Sequence, residues 1–372
     1  QRVYTVKIAF VANTCWNIYN FRKGLVHHFL SKGDKVIVLA PWDEYAEKIV
    51  EWGVKWIDIP LQGTGANPMR DMSYFLKLQK IFKSEKPEIA LSYTIKANIY
   101  SSFAGKFTGV PVICNVSGLG TVFLVEGLIG KIALRLYKVA FRSATYVFFQ
   151  NQDDRELFTN QVNISEERIG ILPGSGIDLK KFLPTTIPDN ESIEFLMVSR
   201  VIIEKGVREF AEAASHFKEE KNLKFTLIGK FDPDHSRSIP QSELNHWIEE
   251  GIIDYKEHSD EIVDLIAKSD ALVLPSYREG TSRTLLEGAA MGRPLLASNV
   301  PGCKEVVRDG YNGFLFEVQN SKSLIDKIRL FLSLNKQERK QLAANSRKLV
   351  EESFDENIVI DMYEQTIRRI IG

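Results

Sequence analysis

Short apolar runs rich in β-branched residues alternate with longer amphipathic runs along the first half of the chain. Strands are predicted at VKIAFVA, KVIVLA, VKWIDIP, EIALSY, PVICNV, TYVFFQ and RIGIL. Helices are predicted at FRKGLVHHFLSKG, YAEKIVEWG, MSYFLKLQKIFKSEK and ANIYSSFAGKFTG, the first two ending at Gly33 and Gly53. Because this alternation is typical of a parallel sheet, the pattern predicts an α/β domain.

The same alternation restarts after a linker-like stretch, FLPTTIPDNES, at residues 182–192. Strands are predicted at IEFLMVS, LKFTLIG, IIDY, ALVLP, PLLAS and GFLF, and helices over 206–220, 261–268 and 282–291, twice within 320–352, and from Glu356 onward. Doubly wound sheets bind ligands at the carboxyl ends of their strands. We therefore predict two doubly wound, Rossmann-like domains, residues 1–183 and 184–354, that face each other across a cleft.

Composition fits a globular protein of two domains, because 372 residues are enough for two cores. The net charge is zero, but basic residues are in excess up to residue 184 and acidic residues beyond it. This split suggests that the first half meets an anionic partner, although a chance asymmetry of solvated faces explains it equally well. Three distant cysteines favour a reducing compartment. Neither a membrane span nor a signal peptide is predicted.

The glycine pattern argues against a dinucleotide-binding dehydrogenase. Such an enzyme needs G-x-G-x-x-G between its first strand and helix, and the corresponding turn here, ANTCWNIYNFR, has no glycine. Gly118-Leu119-Gly120 and Gly174-Ser175-Gly176 lack the third glycine. The dehydrogenase interpretation is therefore weak.

Two cations follow the first strand of the second half. Arg200 ends VSR and Lys205 comes just before a predicted helix. Both side chains can reach one anion there, and the helix N-terminus adds its dipole. An ordinary surface pair is the better interpretation of this feature taken alone.

A second strand-to-helix turn, SYREGTSRTLLEGAAMG, carries two carboxylates. Gly280 permits a tight turn, and Thr281 or Ser282 can cap the helix, so that the backbone N–H groups of 281–283 make a phosphate cradle. Glu279 on the loop and Glu287 on the helix suit vicinal hydroxyls of a sugar and a ribose. The alternatives are a solvated loop charge and an exposed helix residue.

In this order the motifs resemble those of the family-4 retaining glycosyltransferases of the GT-B fold. The family's E-x7-E motif matches Glu279 and Glu287, and its diphosphate-binding pair matches Arg200 and Lys205. LPGSGIDLKKF and VPGCKEVVRDGYNGFLF match further segments, and the last helix, 355–372, is similar to one that crosses back to the first domain. The resemblance implies a UDP-sugar donor held by the second domain. Arg200, Lys205 and Glu279 would be catalytic, and Gly280, Thr281, Ser282, Arg283 and Glu287 would bind the donor.

The first half resembles the branch of this family that extends polyprenyl-diphosphate-linked glycans or other surface polysaccharides. NTCWNIYNFR, TIKANIYSS and NVSGLGTVF carry this likeness. It implies transfer of an N-acetylhexosamine and an acceptor side formed by Asn17, Tyr19, Arg22, Lys96, Asn98, Ser117 and Gly118. Two features depart from the family: the glycine-rich first loop is absent, and Ser282 stands where proline is frequent. Because the glycine-rich loop is absent, its phosphate or acceptor contacts must come from other groups.

Asp232-Pro233-Asp234 competes with this reading, since D-x-D binds a metal ion in the other main glycosyltransferase fold. Asp-Pro-Asp is also ordinary turn chemistry after a strand. Because Arg200 and Lys205 already supply positive charge for a diphosphate, we expect no required metal and no cofactor beside the donor.

A basic stripe over residues 127–144 raises the question of membrane contact. Lys131, Arg135, Lys138 and Arg142 follow one another at steps of four, three and four, and so lie on one helical face. A core-packed helix with a solvated face is the commoner explanation. Contact with anionic headgroups is the second, which would place the protein at the cytoplasmic face of the inner membrane of a bacterium.

Two rival functions remain open from the sequence. A hydrolysing UDP-sugar epimerase shares the fold and would release free sugar and nucleotide without an acceptor. A non-catalytic protein would bind the nucleotide sugar and transfer nothing.

Overall fold

The computed structural model describes residues 5–61, 67–118, 128–257 and 261–372, with the backbone alone over 128–134. The chain divides into two compact units, Gln1–Ser175 with Asn357–Gly372, and Gly176–Glu356. The sequence had predicted bounds at 183/184 and 354/355.

The first unit is built on a parallel sheet of seven strands. The strands are β1 (Lys7–Val11), β2 (Lys35–Ala40), β3 (Lys55–Asp58), β4 (Ile89–Tyr93), β5 (Val112–Val116), β6 (Tyr146–Phe149) and β7 (Ile169–Ile171), in the order β3-β2-β1-β4-β5-β6-β7. The helices are α1 (Cys15–Phe21), α2 (Lys23–Ser31), α3 (Ala46–Val50), α4 (Pro68–Glu85), α5 (Ile95–Thr108), α6 (Leu128–Ser143) and α7 (Gln152–Thr159). Two apolar clusters pack against this sheet, since alternate strand residues such as Ala9 and Phe10 belong to different clusters.

The second unit repeats this architecture with six parallel strands. The strands are β8 (Ile193–Val198), β9 (Leu223–Ile228), β10 (Asp254–Lys256), β11 (Ala271–Leu274), β12 (Leu295–Ser298) and β13 (Gly313–Phe316), in the order β10-β9-β8-β11-β12-β13. The helices are α8 (Val207–His216), α9 (Gln241–Glu249), α10 (Ile262–Lys268), α11 (Arg283–Ala290), α12 (Ser321–Ser333) and α13 (Lys336–Ser353). The prediction of two doubly wound α/β domains is confirmed.

The last helix, α14 (Glu356–Ile371), completes the core of the first unit rather than the second. Val359, Ile360, Tyr363 and Ile367 are buried in the cluster that also contains Phe10 and Phe29. Glu364 of the same helix contacts His28 of α2 at 3.0 Å and Lys32, the residue after α2, at 2.5 Å. Apolar burial and an ion-pair cluster therefore hold the chain end on this unit.

Local signals located most elements, with clear exceptions. Gly33 and Gly53 have φ of +81° and +88°, which confirms both as helix ends. Residues 15–21 were predicted as a turn, but they form α1, capped by the Thr14 hydroxyl, which accepts from the Asn17 N–H at 3.0 Å. Among the described residues no helix is both long and apolar enough to cross a bilayer.

Candidate active site

The predicted donor site lies where the second sheet changes direction. Strand β8 connects to β9 on one side, whereas its neighbour β11 connects to β12 on the other. The loops that follow β8 and β11 therefore diverge and leave a crevice at the carboxyl ends of the strands. The Tyr277 N–H donates to the Glu204 carbonyl at 2.8 Å, which ties the two loops together.

Lys205 ends a short 3-10 helix, Ile203–Lys205, just before α8. Gly206 follows with φ +72°, and a Cβ there would lie 2.0 Å from the Pro275 carbonyl oxygen. Only glycine can adopt this positive φ and also approach Pro275 so closely. Gly206 therefore fixes the backbone conformation next to Lys205. The Lys205 Nζ contacts Glu279 Oε1 at 2.5 Å, and both side chains are largely buried. Two residues that the sequence assigned to separate tasks thus form one ion pair.

The loop that carries Glu279 is held by a segment whose role the sequence did not reveal. The Glu279 N–H donates to the Pro301 carbonyl at 3.0 Å, and the Ser282 N–H donates to the Gly302 carbonyl at 2.9 Å. Gly302 has φ +82°, and a Cβ there would lie 2.5 Å from the Glu279 carbonyl. The sequence identified VPGCKEV only as a segment that matches the family. Gly302 of this segment allows the Glu279 backbone to lie so close to it.

These contacts correct one part of the predicted phosphate cradle. The Ser282 N–H is used within the protein, so it does not point at a ligand as predicted for 281–283. The Ser282 hydroxyl accepts from the Leu285 N–H at 3.3 Å, which confirms the predicted N-cap of α11. The Thr284 hydroxyl donates to the Val198 carbonyl at 3.0 Å and anchors the first turn of α11 to the end of β8.

Glu287 is largely buried rather than an exposed helix residue. It lies one turn after Arg283, whose Nε donates to Glu287 Oε1 at 3.0 Å. Arg283 Nη1 also donates to the Gly176 carbonyl at 2.6 Å. Burial raises the pKa of the Glu287 carboxyl, and the charges of Arg283 and Lys181 offset this only in part. A carboxylate kept in so unfavourable a place suggests a binding task.

Arg200 differs from the other charged residues of the site because it is exposed. No carboxylate of the described residues pairs with its guanidinium. Lys205 is neutralised by Glu279, so Arg200 is the more readily available cation beside the crevice. The acidic neighbour Glu204 pairs with Arg237 instead.

Tyr277 is a second residue of this region that sequence reasoning missed. Its hydroxyl donates to Glu209 Oε1 at 2.7 Å. Burial and the hydrogen bond to Glu209 raise the pKa of this phenol, so it stays a donor. A tyrosine beside the E-x7-E motif was visible in the sequence, but its partner on α8 was not.

Asp232 is engaged in the turn that the sequence favoured. Its Oδ1 accepts from the Asp234 N–H at 3.2 Å, and its carbonyl accepts from the His235 N–H at 3.2 Å. This arrangement is turn chemistry after β9. Across the described part of the chain, no group of three or more His, Cys, Asp or Glu side chains is arranged to hold a metal ion.

Four residues predicted on the acceptor side lie near the carboxyl edge of the first sheet. Asn17 is on α1, and its Oδ1 is buried with no hydrogen-bond partner among the described residues. Lys96 opens α5 and contacts Asp71 at 2.9 Å. Ser117 is exposed after β5, and Gly118 has φ +120°. The remainder of NVSGLGTVF, from Leu119, lies outside the described residues.

The structure gives the other three predicted acceptor residues packing roles. Tyr19 stacks on Trp52 with ring centroids 5.3 Å apart. The Arg22 guanidinium is buried over the ring of Tyr93 at 4.2 Å. Asn98 is 1% exposed and donates to the Asn115 carbonyl at 2.8 Å. Arg22 and Asn98 are thus buried and Tyr19 is half-buried, and the acceptor role of all three stays a prediction.

The predicted basic stripe falls on α6. Arg135 and Arg142 are exposed and Lys138 is partly exposed, as a solvated face requires. The side chain of Lys131 lies outside the described residues.

Two parallel-sheet units of Rossmann-like topology define an α/β protein of the GT-B fold. Solved glycosyltransferases share this fold. A glycosyltransferase from Rickettsia africae superposes with a TM-score of 0.80 at 18% identity, over 99% of both chains. The Anabaena HepE protein, solved with UDP and glucose, gives a TM-score of 0.81 at 16% identity, over 98% of this chain and 100% of that one.

Sequence comparison shows the family. A model of group 1 glycosyl transferases matches residues 181–349, and a glycosyl transferase 4-like domain matches residues 22–174. The N,N'-diacetylbacillosaminyl-diphospho-undecaprenol alpha-1,3-N-acetylgalactosaminyltransferase of Campylobacter jejuni is 30% identical, over 98% of this chain and 99% of its own. The UDP-Gal:alpha-D-GlcNAc-diphosphoundecaprenol alpha-1,3-galactosyltransferase of Escherichia coli is 26% identical over 70% of each chain. The chain belongs to this glycosyltransferase family and is a glycosyltransferase.

Proposed function

We propose that this glycosyltransferase moves an N-acetylhexosamine from a UDP-sugar to a polyprenyl-diphosphate-linked glycan, with retention of configuration and without a metal ion. The observation that carries the proposal is the double ion pair at the β8/β11 crevice. Lys205 with Glu279, and Arg283 with Glu287, put two cations and two carboxylates around one strand-to-helix turn.

This arrangement suits the two ends of a nucleotide sugar. A diphosphate that enters the crevice meets Arg200 first and competes with Glu279 for the ammonium group of Lys205. Glu279, once released, can accept hydrogen bonds from the sugar hydroxyls, and Glu287 those from the ribose. The leaving UDP gains negative charge in the transition state, so Arg200 and Lys205 lower the barrier as preorganised cations.

The same charges support a reaction without a metal ion. Arg200 and Lys205 offer the positive charge that a divalent cation would otherwise supply to the diphosphate. The Asp232 carboxylate of the D-x-D sequence accepts a hydrogen bond from the Asp234 N–H within its own turn. Retention follows from front-face attack, in which a phosphate oxygen of the donor takes the acceptor proton. This route needs no protein nucleophile.

The acceptor and sugar classes rest on the relatives. Both curated relatives act, by their names, on diphospho-undecaprenol-linked sugars, one with N-acetylgalactosamine and one with galactose. The Campylobacter enzyme matches nearly the whole chain, so we propose its sugar class. The acceptor-side candidates near the edge of the first sheet are Asn17, Lys96, Ser117 and Gly118, and the reaction would take place at the cytoplasmic face of the membrane.

A donor screen tests this function. The enzyme is incubated with UDP-N-acetylgalactosamine, UDP-N-acetylglucosamine, UDP-galactose or UDP-glucose, with and without a polyprenyl-diphosphate-sugar fraction, and released UDP is measured. We expect rapid release from a UDP-N-acetylhexosamine only with the lipid fraction, unchanged by EDTA, and an α-linked product by NMR.

Other outcomes would reject specific parts of the proposal. Release of free epimerised sugar without acceptor favours the epimerase, and UDP binding without transfer favours a binding protein. Loss of activity in EDTA that Mg²⁺ or Mn²⁺ restores contradicts the metal-free reaction. A β-linked product contradicts retention.

A further inference from the structure

Beside the ion pair of Lys205 and Glu279, a second side-chain contact joins the loop after β11 to the start of α8. The Tyr277 hydroxyl donates to Glu209 Oε1 at 2.7 Å, and Glu209 is only 8% exposed. Burial and this hydrogen bond raise the pKa of the phenol, so the hydroxyl stays protonated and is the donor. A hydrogen bond to a carboxylate is stronger than one between neutral groups.

Glu209 is an unfavourable residue for this place unless its contact with Tyr277 has a task. Its second carboxylate oxygen, Oε2, is buried and has no hydrogen-bond partner among the described residues. A buried carboxylate with one oxygen left unbonded costs free energy that a leucine there would not cost. Glu209 lies in the first turn of α8, where the helix dipole favours negative charge, but a solvated carboxylate would gain that benefit as well.

The two side-chain contacts join the same pair of segments. Lys205 and Glu209 are four positions apart at the start of α8, and their partners Glu279 and Tyr277 are two positions apart on the β11 loop. The Tyr277 N–H also donates to the Glu204 carbonyl at 2.8 Å. A single side-chain contact would let the loop pivot about it, whereas two contacts fix both its position and its direction.

Binding of the donor should affect the two contacts differently. In the proposed reaction the diphosphate takes the ammonium group of Lys205 away from Glu279, so this ion pair opens. Tyr277 and Glu209 have no task in binding the donor, so their hydrogen bond can persist. The remaining contact then keeps Glu279 and Lys205 in place on either side of the donor.

We propose that Tyr277 is a positioning residue, which through its hydrogen bond to Glu209 holds the Glu279 loop against the Lys205 segment while the donor is bound. Its hydroxyl touches neither donor nor acceptor. Because a displacement of about 1 Å in an active site can lower turnover about a hundredfold, a hydroxyl that never meets the reacting atoms can matter. The proposal rests on the donor roles proposed above for Lys205 and Glu279.

The test compares turnover with the number of intact donor sites. Tyr277→Phe removes one oxygen atom and keeps the ring. Calorimetric binding of UDP counts the folded donor sites, and UDP release with the lipid fraction gives kcat and the KM for the donor. We expect Tyr277→Phe to bind UDP at the parent's stoichiometry, while kcat per site falls about ten- to a hundredfold and KM changes little.

Two variants of Glu209 separate the hydrogen bond from the charge. The amide oxygen of Glu209→Gln can still accept from the Tyr277 hydroxyl, so this variant should keep most of the parent's kcat. Glu209→Leu should lose as much as Tyr277→Phe does. The double variant, Tyr277→Phe with Glu209→Leu, should be no slower than the slower single variant, because both changes break the same hydrogen bond.

Two matched controls remove comparable contacts elsewhere. Tyr146→Phe removes a buried hydroxyl that donates to the Ile169 carbonyl at 3.0 Å in the first unit. Glu243→Leu breaks the ion pair of Glu243 with Arg208, the residue next to Glu209 on α8. We expect both controls to keep the parent's kcat and KM, whatever they do to the melting temperature.

The inference is overturned if Tyr277→Phe turns over as the parent does, or if its kcat falls only in proportion to its UDP-binding sites, since the hydroxyl is then structural. A raised KM for the donor at unchanged kcat would put Tyr277 in contact with the donor instead. Glu209→Gln as slow as Tyr277→Phe would show that the charge of Glu209 itself acts in the reaction. Failure of the donor site is distinguishable, because Lys205→Ala would then be as active as the parent.

Discussion

Lys205 and Glu279 are 74 positions apart in sequence and form an ion pair of the candidate site. Sequence motifs identified both residues, because their types and spacing match the family. The pairing itself could not be predicted, since it depends on where the β8 and β11 loops meet. Gly302 illustrates the same limit, because a side chain is excluded at this position only by the Glu279 backbone that lies against it.

Loss of either cation should impair transfer without unfolding the protein. We expect Lys205→Ala and Arg200→Ala each to lower kcat/KM by about two to three orders of magnitude, as for loss of one preorganised donor. Lys221→Ala, an exposed lysine of the same unit, should have no effect. Initial rates of UDP release measure all three, and near-parental rates for both site variants would contradict the assignment.

Replacement of Glu287 should reduce glycosyl transfer without lowering the stability of the fold. A carboxyl whose folded pKa is raised favours the neutral form in the folded state. Its ionisation therefore lowers stability as pH rises from about 4.3, its unfolded value, through the raised pKa. Glu287→Gln should melt at or above the parent temperature at pH 7, with the difference shrinking toward pH 4, while transfer falls at least about tenfold.

Glu351→Gln is the matched control, because Glu351 pairs with Arg347 at the same helical spacing but is half exposed. It should leave both activity and melting unchanged. A clear loss of stability in Glu287→Gln at pH 7 would mean that the Arg283 pair outweighs burial.

Among the elements, those with strong local signals were predicted and those shaped by packing were not. Every predicted strand is present, because runs such as KVIVLA are apolar on both faces of a parallel sheet. Helix α1 was missed because CWNIYNF has two asparagines and three large aromatics and little helical preference of its own. Cys15 and Ile18 of α1 are buried in an apolar cluster on the first sheet, so tertiary packing decides the conformation of α1.

The loop after β12 offers a test that separates backbone strain from site geometry. Gly302 and Gly310 both have positive φ, but only at Gly302 would a Cβ collide, with the Glu279 backbone. Gly302→Ala should displace Glu279 and reduce transfer strongly, whereas Gly310→Ala should cost about 1 kcal/mol of stability and little activity. UDP release and thermal melts measure both, and equal activities would show that the loop adapts.

The ion pairs that Glu364 of α14 makes with His28, Lys32 and Arg368 should make the stability of the first unit depend on acid pH. Burial alone would raise the pKa of Glu364, but hydrogen bonds from Lys32, His28 and Arg368 lower it to about 2. A depressed carboxyl pKa stabilises the fold above its unfolded value of about 4.3 and ceases to do so as pH falls toward 2. Glu364→Gln should therefore lower the free energy of unfolding at pH 7 by about 1–2 kcal/mol, allowing for the exposed partners.

Urea unfolding at pH 7, 5 and 3.5, followed by tryptophan fluorescence, measures this loss in the first unit, which contains Trp16, Trp42, Trp52 and Trp56. The gap between variant and parent should narrow as pH falls. Glu250→Gln removes an exposed carboxylate paired with Lys218 and should behave as the parent does. A pH-independent gap would assign the loss to packing.

At the scale of the whole molecule, the order of segments along the chain predicts that the second unit can fold without the first, whereas the first unit cannot fold without the C-terminal helix α14. Gly176–Glu356 is continuous, whereas the first unit needs Asn357–Gly372 from the far end of the chain. Val359, Ile360, Tyr363 and Ile367 are buried in its core. Burial of such side chains contributes about 1.5–3 kcal/mol each, which together is comparable to the whole stability of a typical domain, about 5–15 kcal/mol.

Truncation after Glu356 should therefore unfold the first unit and leave the second intact. Limited proteolysis should digest residues before 176 and spare a fragment of 176–356, in which Trp247 keeps its folded emission. Removal of Gly372 alone should change neither result. Resistance of the first unit to proteolysis would show that α14 is dispensable to its core. UDP binding by the surviving fragment is a separate readout: a folded fragment that fails to bind UDP would contradict the proposed donor site but not the division of the chain.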